Sequence, residues 1–268
     1  MAETARSSPE YDYRAKHLDK GGDYDAALAR DAFDAFISAR EQALVYDLVR
    51  SLFPYGVPRY LDFACGTGRI ARVVEPLAVR SWGVDVSETM LVEARSKCRR
   101  TTFLRRDLTR EAAGIEPVQL VTAFRFFGNA QQQLRQEAIG AIRQVLSPGG
   151  VLMLDNHTNP WTLRRGLRRL MRRSDEELVG DLHYWKLRRL LVAAGFRIVA
   201  TRGIGFWIAR ARFAEPRMLW SPAAAVLERA FSHLAGAGPF SPVHLVVARK
   251  GRAGATAARR ARAVGLAP

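Results

Sequence analysis

The residues best suited to chemistry lie in the run Tyr60-Leu-Asp-Phe-Ala-Cys-Gly-Thr-Gly-Arg-Ile70. Apolar residues lead into Gly66-Thr67-Gly68, and a helical pattern begins at once. Glycines at such a bend let the backbone turn tightly and let a ligand lie against it without meeting a Cβ. Three acids stand in related places: Asp62 before the bend, Asp85 at the end of the next apolar run, and Asp107 after the one that follows. Gly66-x-Gly68-x-x-Ala71, with Asp85 placed 19 residues beyond Gly66, fits a dinucleotide fingerprint. Asp62 points the other way. It would repel a pyrophosphate, whereas it suits a ligand that carries a sulfonium cation and an α-amino group.

Such residues need a scaffold that brings strand ends together. Short apolar runs at 59–64, 81–86, 101–104, 119–124 and 150–154 alternate with helical stretches near 69–77, 88–99 and 132–146. That rhythm predicts an α/β fold, a parallel sheet covered by helices on both faces, with ligands at the carboxyl ends of the strands. A helical pattern over 24–52 precedes it and is broken by Pro54, Gly56 and Pro58. Beyond Asn156 the order changes. A basic stretch is followed by a helix over 181–194, a strand over 196–203, a helix over 221–234 capped by Ser221, and a last strand over 242–248.

The chain resembles the class I S-adenosylmethionine (SAM)-dependent methyltransferases. Leu61-Asp-Phe-Ala-Cys-Gly-Thr-Gly68 is similar to their first motif. Ser81-Trp-Gly-Val-Asp-Val-Ser-Glu-Thr-Met-Leu91 is similar to the second, Arg106-Asp107-Leu108 to the acid near adenine, and Leu146-Ser-Pro-Gly-Gly-Val-Leu152 to the turn entering the fifth strand. The resemblance implies a Rossmann-like methyltransferase fold, with a mostly parallel seven-stranded sheet and SAM as cofactor. It also implies roles. Asp62, Ala64, Gly66 and Gly68 line the methionine end, and Asp85 accepts from the ribose hydroxyls. Met90 packs near adenine, Asp107 accepts from its amino group with Leu108 alongside, and Phe124 lies under the sulfonium. Ala64 departs from the family, where glycine is commoner.

Methyl transfer needs alignment and exclusion of water more than strong acids. The acceptor face is expected from Tyr11 or Tyr13, Phe126 to Asn129, Asp155 to Asn159, and the insert after Pro160. His157, just past the fifth strand, is the candidate general base. His17, His183, His233 and His244 show no partner pattern, and no His/Cys/Asp/Glu spacing suggests a metal. The block 181–196 resembles small-molecule members of the family, so a small-molecule acceptor methylated on oxygen is expected. Two alternatives are a nicotinamide-dependent oxidoreductase, which leaves Asp62 and Asp107 without a task, and a non-catalytic SAM-binding module.

Composition bounds these readings. The 268 residues are 48% hydrophobic and 25% charged, which suits one globular domain, expected over 23–250 with a substrate-side insert at 156–180. Residues 1–22 read as a flexible segment without a signal peptide, and 251–268 as a disordered basic tail. Two cysteines make no disulfide scaffold, so a reducing cytoplasm is expected. The net charge is +16. Arg164, Arg165, Arg168, Arg169, Arg172 and Arg173 supply much of it, on a segment whose leucines fall on one helical face. That segment reads first as a solvated cover on the cleft, then as a contact for an anionic ligand or a membrane surface. Phe124-Arg-Phe-Phe-Gly-Asn129 lacks the [N/D]-P-P-[Y/F] loop of amino-group DNA methyltransferases, which weakens a nucleic-acid substrate. The sequence leaves the oligomeric state unknown.

Overall fold

The computed structural model describes residues 21–157, 159, 182–206, 222–234, 236 and 238–251. Tyr11, Tyr13, Trp161, the six arginines of 164–173, the Ser221 cap and the tail beyond Gly251 lie outside the described residues.

In chain order the elements are α1 (Gly21–Arg30), α2 (Ala32–Leu52), β1 (Val57–Phe63), α3 (Ala71–Val74), β2 (Ala78–Asp85), α4 (Glu88–Lys97), β3 (Thr101–Arg105), β4 (Val118–Ala123), α5 (Gln132–Val145), β5 (Leu146–Asn156), α6 (Tyr184–Ala193), β6 (Phe196–Ile204), α7 (Pro222–His233) and β7 (Val243–Lys250). The strands form one seven-stranded sheet in the order β3-β2-β1-β4-β5-β7-β6. The first five run parallel, and β7 inserts antiparallel between β5 and β6. This is the mostly parallel, seven-stranded Rossmann-like sheet that the resemblance implies; the alternating pattern alone points to the parallel part. The order reverses between β1 and β4, and a doubly wound sheet opens a crevice at such a switch point.

Each face of the sheet carries its own apolar layer. Leu134, Ala138, Ile139 and Ile142 of α5 and Leu187 and Leu191 of α6 pack on Leu61, Val121, Leu152 and Leu154. Ile37, Leu44, Val45 and Val49 of α2 and Val74 of α3 pack on Tyr60, Leu120, Met153 and Val247. Central strands covered on both faces are apolar nearly throughout, which is why they read as unbroken runs.

Two expectations need correction. The single helix expected over 24–52 is two, broken at Asp31, whose Oδ1 accepts from the Asp34 amide at 3.1 Å and so caps α2. The long helix expected over 69–77 is one turn, Ala71–Val74, followed by a 3-10 turn over Glu75–Leu77. Pro76 lacks the N–H that a continuing helix would use. Among the described residues no helix is long and apolar enough to cross a membrane.

Candidate active site

One cavity lies at the carboxyl ends of β1, β2 and β4, enclosing about 1010 Å³ with its open mouth included. It is lined by Asp62, Ala64, Gly66, Asp85, Met90, Asp107, Leu108 and Phe124, so eight of the nine expected cofactor residues meet there. Gly68 does not line it. A Cβ on Gly68 would stand 3.0 Å from the Ala94 Cβ, so this glycine lets α4 approach the turn. Gly66 is the converse case. Its φ is +53°, and a Cβ there would meet nothing within 4 Å. That side of Gly66 is therefore open to the cavity. Ala64 also has positive φ, +51°, which explains why glycine suits this position and why alanine carries strain there.

The acids are held mostly by local groups. Asp85 Oδ2 accepts from the Gly66 amide at 2.8 Å and Oδ1 from the Ser87 amide at 2.9 Å, which pins the glycine turn to the end of β2. Ser87 in turn caps α4 through the Met90 amide. Asp107 Oδ1 accepts from the Thr109 amide and hydroxyl at 3.0 and 2.6 Å. Asp62 is buried. Its Oδ2 accepts from the Ala71 amide at 3.0 Å, and its Oδ1 from the Thr122 hydroxyl at 2.6 Å. Burial pushes the Asp62 carboxyl up to about 7, against the pull of those two hydrogen bonds. Cys65 is inert by the same physics, since burial drives its thiol far above the usual range.

On the opposite side of the cavity stands a charged cluster that the sequence does not announce. Arg125 follows β4 with φ +58°, a strained value for a non-glycine residue. Its amide donates to Asp155 Oδ1 at 2.6 Å, and its guanidinium lies 3.8 Å from both Glu41 and Asp34. Glu41 of α2 is fully buried, with Arg69 Nη1 at 2.9 Å from its Oε2. Burial raises the Glu41 carboxyl, and Arg69 and Arg125 oppose the rise. Burial would raise Asp155 too, but His157 and Arg125 hold it below the ordinary carboxylate value. His157 Nδ1 lies 3.2 Å from Asp155 Oδ2. His157 is therefore joined to Asp155, and it is not among the residues that line the cavity. Tyr24, Arg69, Arg125, Phe126 and Asn129 do line it.

Tyr24, Glu41, Arg69 and Arg125 were missed as site residues in the sequence. The one available signal was Arg125 itself, a charge set between aromatic residues at a strand end. Of the remaining histidines, His183 caps α6 by accepting from the Lys186 amide, and His244 is buried against Tyr184.

The fold is that of solved methyltransferases. Residues 61–150 match the profile of the family described as "Methyltransferase domain". A methyltransferase candidate of Geobacillus sp. (strain WCH70) is 28% identical over 142 residues, covering 50% of this chain and 55% of that protein. The chain thus aligns with about half the length of that curated relative. Among solved structures, magnesium protoporphyrin IX methyltransferase (ChlM) from Synechocystis PCC 6803 with bound SAM superposes with a TM-score of 0.57 at 15% identity, over 91% of this chain and 100% of that one. The [4+2]-cyclase SpnF superposes with a TM-score of 0.52 at 22% identity, over 79% and 81%. At these identities the structural likeness speaks for the fold, and one fold hosts several chemistries.

Proposed function

We propose that this chain is a SAM-dependent methyltransferase acting on a small-molecule acceptor, with oxygen favoured as the methylated atom. One observation carries the reading: three acids from successive strand ends and the open side of Gly66 share a single cavity. The residues present fit the cofactor. Asp85 and Asp107 offer carboxylates toward the nucleoside, with Met90 and Leu108 as the apolar wall for its base. Asp62, Ala64 and Gly66 face the amino-acid end, Gly68 sets the turn, and Phe124 lies beneath the sulfonium. Bound there, SAM supplies a methyl group on a cationic sulfur.

The chain's own part is alignment and dryness. Phe124 and Phe126 keep water from the reacting end. Asp155, ionised in the fold, orients His157 through Nδ1. This leaves Nε2 to take a proton from an acceptor hydroxyl. The arginines of 164–173 remain candidates for an anionic or membrane-surface contact, and a cytoplasmic location is proposed with them.

Calorimetry tests the reading. SAM should bind the purified chain, and Asp85→Ala should weaken binding by about 1–3 kcal/mol. A flat titration with folded protein would overturn it. Binding without methyl transfer to any acceptor would favour a non-catalytic module, and binding of NAD instead of SAM an oxidoreductase.

A further inference from the structure

β3 stands at one end of the sheet and pairs with β2 alone among the described residues. The Arg106 amide donates to the Asp85 carbonyl at 3.0 Å, so this amide faces β2. Backbone groups alternate sides along a strand. Those of Thr102 and Leu104 therefore face β2 as well, and those of Thr101, Phe103 and Arg105 face outward. The outward Thr101 amide is taken by Glu75 Oε2 at 3.0 Å. Past that point Phe103 and Arg105 present their N–H and C=O groups at an edge where the Thr102 and Arg105 side chains are exposed.

The same edge is cationic. Arg99 and Arg100 lead into β3 and Arg105 ends it, all three exposed. Arg80, Arg95, Arg106 and Arg110 of the neighbouring segments each pair with a carboxylate. Among the described residues Arg99, Arg100 and Arg105 pair with none. Arg100 Nη2 donates instead to the Glu75 carbonyl at 2.7 Å, and Arg105 Nε to the Val86 carbonyl at 3.4 Å. An edge with open amides is a template for another strand, and charge selects which strand. A second copy of this chain, at net charge +16, would set arginine against arginine. A nucleic-acid phosphate would satisfy the arginines and leave the outward amides idle. An extended acidic segment satisfies both, backbone to backbone along the edge and carboxylate to guanidinium at its ends.

We propose that the outer edge of β3 is a docking surface for an extended, acidic segment of a partner protein, which adds to the sheet as a further strand. β3 leads directly into Arg106 and Asp107 of the cavity, so the partner lies next to the cavity without entering it. The inference is independent of which ligand the cavity takes.

The test uses the full chain and three probes: a short peptide alternating glutamate with valine, its lysine counterpart, and a single-stranded oligonucleotide. The glutamate peptide should bind and slow amide exchange at Phe103 and Arg105 by at least about tenfold, leaving Leu104, whose amide faces β2, unchanged. The lysine peptide should do neither. Joint Arg99→Glu and Arg105→Glu substitution, at exposed positions, should reverse that preference. Equal binding of the two peptides, binding without slowing at Phe103 and Arg105, or no binding of either to folded protein would overturn the inference. So would a stronger response to the oligonucleotide, which would make the surface a nucleic-acid contact. Slowing of the same amides on raising protein concentration alone would make it a contact between copies, and would overturn the inference too. If the double variant does not fold, the wild-type comparison of the two peptides decides.

Discussion

The acid-bearing wall of the cavity and the charged cluster set behind Arg69 and Arg125 are built on different principles. Along β1, β2 and β3 the acids meet mainly backbone amides of nearby turns: Gly66 and Ser87 for Asp85, Thr109 for Asp107, Ala71 for Asp62. Along β4, β5 and the first helices the groups meet one another as charged side chains: Glu41 with Arg69 and Arg125, Asp155 with His157. A wall of backbone contacts is rigid whatever ligand arrives. A wall of paired side chains fixes its shape only while every partner stays in place, and its components can be exchanged without rebuilding the sheet.

The sharpest break of this contrast is Glu41→Ala. Removing Glu41 takes from half-buried Arg69 its only carboxylate among the described residues and leaves Arg125 with Asp34, so unfolding should become easier by about 3 kcal/mol, read in urea melts. A cost near zero would mean that the charged wall does not hold itself together. The next largest effect lies on the other wall and depends on pH. The Asp62 carboxyl sits at about 7 in the fold, above its ordinary value of 3.8. Between those values the folded state keeps a proton that the unfolded chain has released. The contribution is therefore full below about pH 4 and is lost as pH rises to about 7. Stability of the wild type relative to Asp62→Asn should fall by roughly 2–4 kcal/mol across that window and level off above it. A flat difference would show that Asp62 is ionised throughout.

His157→Gln probes the charged wall for chemistry. Turnover should drop by about a hundredfold or more, with SAM affinity unchanged and part of the rate restored by an added small base such as imidazole. Unchanged turnover would reduce His157 to a loop partner of Asp155. The smallest effect is expected for Ala64→Gly. Relief of the positive φ works against the added freedom of the unfolded chain, so the melting point should move by less than about 1 kcal/mol in equivalent stability.

The same contrast explains what the sequence disclosed. Asp62, Gly66, Asp85 and Asp107 were legible because each sits where a strand meets a turn, and their partners lie at the neighbouring strand ends. The five parallel strands were legible because burial on both faces leaves short apolar runs bounded by turn residues. The charged wall was not. Glu41 falls inside a helical pattern where one acid looks like any solvated position, and its partners Arg69 and Arg125 belong to other elements far along the chain. Periodicity records which face of a helix is buried, not which charge waits beneath it. The break at Asp31 was hidden for a related reason: apolar positions continue on both sides of it, and a capping acid is indistinguishable from a surface one until its amide partner is placed.

Asp62 has a consequence for how heat would be exchanged on ligand uptake. Near neutrality this carboxyl is only partly ionised, and a cation settling beside it competes with the proton already there. Loading should then expel a fraction of a proton into the medium, most strongly just below pH 7. The enthalpy measured in phosphate would differ from that in Tris by the difference in the two buffers' ionisation heats, scaled by that fraction, and the difference would vanish in Asp62→Asn.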